Sequence, residues 1–300
     1  MLPLRQALRR VRPQLTDASA QRIMILHGVD FSGADSGGSH KIRVATRLTR
    51  GSMPQPGGPP RASARTREGP SRGGPSREEA RETTVERMDR RGLLERIRAS
   101  ARDGSAHFWR IDAPVGLPLS TLGSHEVRGD WLAAAQWMES FGGARPWRAA
   151  LRSIERTEPR RATDHDARTP MAPMNLRVFK QTWTLVCEVL LPLAREGQVS
   201  IEPMRPVRGA AVSIGEGCPA SVLQRKGWPS RAYKGEGEPP QRVREEILRR
   251  LRGAGVRTSA ALQRQAAEDT EGDIVDALIL ATDPCACAVP REALVEGWVW

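Results

Sequence analysis

The apolar positions of the chain fall into short runs with two different periods. Arg22 to Asp30 (RIMILHGVD) is a brief β-branched and aliphatic run with a glycine near its end, the pattern of a buried strand. A glycine-rich turn, FSGADSGGSH, covers Phe31 to His40. Lys41 to Leu48 (KIRVATRL) then sets Ile42, Val44 and Ala45 among basic and polar residues, as a half-buried strand does, so the two runs predict a hairpin. Glu79 to Ala101 carries Val85, Met88, Leu93, Leu94 and Ile97 near helical spacing and reads as one amphipathic helix, with Gly92 its weak point. His107 to Ile111 (HFWRI) reads as a strand closed by Asp112-Ala113-Pro114, and prolines at 114 and 118 impose a loop.

Further along, Asp130 to Phe141 and Trp147 to Ile154 look helical, the second opening after Pro146. A polar loop, RRATDHDARTPMAP, leads into a long helix from Leu176 to Glu196. Val199 to Met204 and Ala210 to Ile214 read as strands, the latter ending at Gly215-Glu216-Gly217-Cys218-Pro219. Three helical stretches follow: Pro239 to Leu251, Thr258 to Glu268, and Glu271 to Thr282. Trp298-Val299-Trp300 reads as a closing edge strand. Strands mixed with helices in this order predict an α/β fold without internal repeats.

One stretch breaks the pattern. Between Gly51 and Glu78 there are six glycines and six prolines in 28 residues, and no Leu, Ile, Val, Phe, Trp or Tyr. Such a segment cannot bury enough apolar area to offset its ordering entropy, so a disordered Gly/Pro/Arg-rich insertion is expected at 50–78. The expected organisation is an N-terminal extension at 1–20 and one domain over 21–300, interrupted by that insertion.

Composition adds less than its extremes suggest. Lys and Arg number 47 against 35 Asp and Glu, a net charge of +12, which permits a nucleic-acid partner. Only Lys41, Lys180, Lys226 and Lys234 are lysines, and an arginine bias of that kind also follows from a GC-rich genome. The four cysteines, two of them as Cys285-Ala286-Cys287, match neither a disulfide framework nor paired zinc spacing, so a reducing cytoplasm is the expected compartment. No apolar run reaches the ~20 residues of a membrane span, and the start of the chain lacks the apolar core of a secretion signal.

The candidate chemistry is carboxylate chemistry. Asp30 ends the first strand, Asp112 ends HFWRI, and Glu216 follows AAVSI. Asp273 and Asp276 sit at i and i+3 on the last long helix; Asp273 reads as its N-cap, and Asp276, at the border of the apolar run ALILA, as the ligand. Carboxylates converging from separate elements are what hard divalent cations require, Mg²⁺ or Mn²⁺ here. Asp164-His165-Asp166 reads as solvated ion pairing beside Arg160 and Arg161, and Trp109 and Trp183 read as core residues. The loop at Gly33 fails as a P-loop because it lacks Gly-Lys-[Ser/Thr], although amides at Ser32 and Gly33 are able to approach a phosphate.

The motifs GVDFSGADSGGSHKIRVA, WRIDAPVGLP, RRATDHDARTPMAP with NLRVFKQTW, IGEGCPASVLQRKGWPSRAYKG, DIVDALILA and a closing EGWVW occur in this order. In that order the chain resembles the bacterial and archaeal family catalogued as domain of unknown function 429, described as predicted nucleases of ribonuclease-H-like fold. The resemblance covers nearly the whole chain outside the insertion and the first 20 residues. It implies a mixed sheet flanked by helices, with metal-binding acids from the first strand, a later strand and a C-terminal helix. Asp30 matches the first-strand acid, Asp112 the acid of a D-x-P-x-G-L-P stretch, Glu216 the acid before Pro-Ala, and Asp276 the acid of an Asp-Ala helix. The chain departs from the family at Cys218, and no obvious third strand follows Leu48. The expected function is a metal-dependent nuclease that hydrolyses phosphodiesters of nucleic acid with Asp30, Asp112 and Asp276 as ligands and Glu216 as a ligand or water-positioning base. The alternatives are a non-catalytic nucleic-acid-binding or scaffold protein of the same fold, and small-molecule phosphoryl transfer.

Overall fold

The computed structural model describes residues 23–38, 40–50, 82–127, 130–284 and 288–300. The expected N-terminal extension at 1–20, the insertion from Gly51 onward and the Cys285–Cys287 pair lie outside these residues. Six strands form one mixed sheet: β1 (Ile23–Asp30), β2 (Ile42–Arg50), β3 (Thr84–Met88), β4 (Ala106–Asp112), β5 (Val199–Ile201) and β6 (Val212–Glu216). Their spatial order is β3-β2-β1-β4-β6-β5; β1, β2 and β3 pair antiparallel, and β1-β4-β6-β5 pair parallel. The hairpin expected from the first two runs is the β1–β2 pair.

Between β3 and β4 runs α1 (Arg90–Ser100); between β4 and β5 come α2 (Leu119–Ser124), α3 (Trp131–Glu139), α4 (Ala144–Ile154), α5 (Ala162–Ala167) and α6 (Phe179–Thr184), which continues through a π segment (Leu185–Leu190) into α7 (Leu191–Glu196). After β6 follow α8 (Pro219–Arg225), α9 (Glu238–Gly253), α10 (Ala260–Glu268), α11 (Asp273–Leu280) and α12 (Ala293–Glu296). Among the described residues, no helix is long and apolar enough to cross a membrane.

Strand alternation sorts the core. Val29, Ile42, Val44, Trp109, Ile111, Val212 and Ile214 face one side and pack with α1, α3 and the π segment in one large cluster. On the other side Ala45 packs with α8, α9 and α11. Trp109 and Trp183 belong to the first cluster, as expected.

Several expectations fail locally. Residues 79–101 are not one helix: Thr84–Met88 pairs with β2 as the third strand, and Asp89 caps α1 by accepting a hydrogen bond from the Gly92 amide at 2.7 Å. Val85 and Met88 therefore follow strand alternation rather than a helical face. The expected helix at 176–196 starts at Phe179 and widens to a π turn just before Pro192, whose missing N–H removes a helical donor. The polar loop at 160–173 contains α5, residues 119–124 are helical where the prolines at 114 and 118 were read as imposing a loop, and residues 219–225, which had no assignment, form α8. Asp273 is the first helical residue of α11; Asp269 accepts the hydrogen bond from the Ile274 amide instead. The closing tryptophan segment makes a single parallel bridge, Val299 to Glu216.

A polar chain crosses the first face of the sheet. The Asp103 carboxylate accepts from His107 Nε2 at 3.0 Å, His107 Nδ1 meets His27 Nε2 at 2.9 Å, and His27 Nδ1 meets Thr46 Oγ1 at 3.1 Å, while His27 stacks on Trp109 at 3.7 Å. Burial, then the nearby charges of His107 and Arg96, hold the His27 pKa well below the ordinary histidine range. An unfolded His27 takes up a proton below about pH 6.5 whereas the folded one stays neutral, so stability from this group is complete above that pH and lost as pH falls below it. Urea unfolding from pH 7.5 to 5.5 is expected to show the parent losing up to ~1.4 kcal/mol per pH unit more than His27→Gln does. Parallel curves would contradict this.

Candidate metal centre

The site forms where α11 lies directly on the sheet. Gly28 makes this possible: a Cβ there would stand 2.1 Å from the Ala277 carbonyl oxygen and 2.5 Å from the Ala281 amide. Glycine on the strand and alanines at i and i+4 on the helix thus bring two backbones into contact. Asp30 lies two residues beyond Gly28 on the same face, and Asp276 is the residue before Ala277. Asp112 joins them because β4 pairs parallel to β1 with Asp112 opposite Asp30.

Three carboxylates result. One oxygen each from Asp30, Asp112 and Asp276 lies within 4.8 Å of the others; Asp276 is buried and the other two are partly exposed. Burial first, and then the charges of Asp276, Asp273 and Asp112, push the Asp30 carboxyl well above the ordinary range. Burial and then Asp276 do the same to Asp112. Burial also raises Asp276, against the opposing pull of Lys234 and Tyr233. The Tyr233 hydroxyl donates to Asp276 Oδ1 at 2.7 Å, and Lys234 Nζ lies 2.7 Å from Asp276 Oδ2. The donor set is all oxygen, with three carboxylates against the one ammonium of Lys234, which fits Mg²⁺ or Mn²⁺. The neighbouring Cys218 thiol is not in the group, and burial pushes its pKa up to about 12.

Glu216 does not join the other three acids. It pairs opposite Ile111, one residue before Asp112, so alternation turns it to the opposite face of the sheet. There its two oxygens accept from Arg161 at 2.5 and 2.6 Å and from the Val115 amide at 3.0 Å. Arg161 also grips Asp164 at 2.7 Å, and both Arg161 and Asp164 have 0% exposure. The Asp164–Arg161 pairing is thus buried rather than solvated. The Gly33 region is likewise packed, since a Cβ on Gly33 would lie 2.4 Å from the Gln181 amide, and Arg90 donates to the Ser32 carbonyl at 3.4 Å.

Tyr233 and Lys234 were not expected from sequence. The available signal was their rarity: Tyr233 is the single tyrosine, and Lys234 one of four lysines among 47 basic residues. Comparison of the chain with protein-family models, with curated proteins and with solved structures gives no match.

Proposed function

We propose that the chain is a divalent-metal-dependent nuclease of ribonuclease-H-like fold, with Asp30, Asp112 and Asp276 as the metal ligands. The observation that carries this reading is the meeting of three carboxylates from β1, β4 and α11 within 4.8 Å. Its further support is the sheet itself, mixed and flanked by helices, with the acids on a central strand, its parallel neighbour and a C-terminal helix, as the family resemblance implies.

The protein groups divide the work. Asp30 and Asp112 are the partly exposed ligands, and the buried Asp276 is held by Tyr233 and Lys234. A divalent ion bound there supplies an activated water and charge neutralisation at the scissile phosphate. Tyr233 fixes one Asp276 oxygen through its hydroxyl. Lys234 touches the other oxygen with one of three N–H donors, which leaves two for a phosphate oxygen, and its side chain is 51% exposed. Glu216 positions rather than reacts: with Arg161 and the Val115 amide it ties β6 to the loop that follows Asp112.

The test is cleavage of end-labelled single- and double-stranded DNA and RNA by the purified chain with Mg²⁺, Mn²⁺ or chelator. Cleavage of at least one substrate with metal and none with chelator is expected. Binding without cleavage under either metal would favour the scaffold reading instead. Tyr233→Phe removes only the hydroxyl and should leave the fold intact while weakening Mn²⁺ affinity by about 10–100-fold, the usual cost of losing a ligand's supporting hydrogen bond. Calorimetric titration with Mn²⁺ measures it, and unchanged affinity would remove Tyr233 from the site.

A further inference from the structure

The strand register carries the acid row outward. Asp112 stands opposite Asp30, Asp30 opposite Arg43, and Arg43 opposite Arg87. Cross-strand partners share a face and stand about 5 Å apart, so one row crosses β4, β1, β2 and β3 on the face that α11 covers. Two of its members are acids of the metal centre and two are arginines, Arg43 partly exposed and Arg87 exposed.

Both arginine stems are anchored at the same point. Arg43 Nη1 and Arg87 Nε donate to the His40 carbonyl at 3.1 and 3.3 Å, and His40 itself has φ 59°, in the left-handed region. A guanidinium has five N–H donors, so each retains several after this contact. Elsewhere on the surface Arg98, Arg195, Arg242 and Arg249 are taken up in glutamate ion pairs. Neither Arg43 nor Arg87 has such a pair among the described residues. Four acids, Asp30, Asp112, Asp273 and Asp276, would repel a phosphate approaching the centre. Lys234 on Asp276 and the two arginines further along the row offset that repulsion.

We propose that Arg43 and Arg87 form a phosphate track that carries the backbone of a single-stranded nucleic acid from the acid centre across β2 and β3. The proposal rests on the nuclease reading and adds the direction of the strand and its form. The row is one side chain wide, which matches one backbone rather than two.

The experiment follows binding of fluorescein-labelled 12-mers of dT and rU by anisotropy, in chelator, from 50 to 300 mM salt. Each phosphate contact to a single strand contributes about −0.7 to the slope of log affinity against log salt. The Arg43→Ala/Arg87→Ala variant should therefore show a slope about 1.4 units shallower than the parent, and Arg87→Ala alone about 0.7. Circular dichroism melts confirm folding; if the double variant does not fold, Arg87→Glu, at an exposed position, decides by a shallower slope. An unchanged slope, no binding by the parent at 50 mM salt, or tighter binding of a duplex of the same length overturns the track. Metal-dependent cleavage by the parent with an unchanged slope leaves the nuclease reading standing without the track. A shallower slope with no cleavage under any metal leaves the track standing and removes the nuclease reading.

Discussion

Asp30→Asn is expected to raise the melting temperature of the metal-free chain and to abolish its response to Mg²⁺. Asparagine keeps the shape of the side chain and removes one of three negative charges within 4.8 Å of one another. The Asp30 carboxylate is opposed by burial and by Asp276, Asp273 and Asp112, so its removal relieves strain in the absence of a cation. The parent should gain about 2.7 kcal/mol at a Mg²⁺ concentration 100 times its dissociation constant. That corresponds to a rise of roughly 5–10 °C, at 2–4 °C per kcal/mol for large domains. The variant should gain almost nothing, and its cleavage should fall by more than the ~100-fold typical of losing a supporting contact. A variant that still responds to Mg²⁺ as the parent does would place the ion elsewhere.

Arg161→Met should have the largest effect on stability. The guanidinium is fully buried and bonds Glu216, Asp164 and the Glu296 carbonyl. Methionine fills similar space but leaves two buried carboxylates without a cation, which costs about 3–5 kcal/mol. The melting temperature should fall by roughly 10 °C at pH 7.5. Burial tends to raise Asp164, and in the parent the charge and hydrogen bonds of Arg161 outweigh it and hold that carboxyl below its ordinary range. Burial already holds the Glu216 carboxyl above its ordinary range in the parent, against the pull of Arg161, so without Arg161 both carboxyls move up. The variant then becomes relatively more stable as pH falls through those raised values, and its deficit should be smaller at pH 5 than at pH 7.5. Thermal melts at the two pH values check this; a drop under 2 °C would show that the network holds little of the fold.

The elements that carry Asp30, Asp112 and Asp276 were legible because each announces itself locally. RIMILHGVD and HFWRID are short apolar runs ending in an acid, and DIVDALILA is an apolar helix with one misplaced carboxylate. The small residues of those motifs, Gly28, Ala277 and Ala281, turn out to be the contact that joins strand and helix. Register was not legible. Glu216 ends a strand as Asp112 does, yet an offset of one residue between β4 and β6 sends it to the other face, and nothing in AAVSIGE encodes that offset. Tyr233 and Lys234 arrive from the segment between α8 and α9, so their approach to Asp276 depends on tertiary packing alone. The merging of β3 with α1 had a local cause: Asp89, three residues before Gly92, is a helix cap that the apolar spacing of Val85 and Met88 concealed.

The most direct measurement is an anomalous difference map from crystals of the chain soaked in Mn²⁺. A peak in direct contact with carboxylate oxygens of Asp30, Asp112 and Asp276 is the predicted result, with a second ion, if bound, about 3.5–4 Å away. Density for Mn²⁺ bound at other carboxylates, with Lys234 still seated on Asp276 and no peak among the three acids, would contradict the assignment.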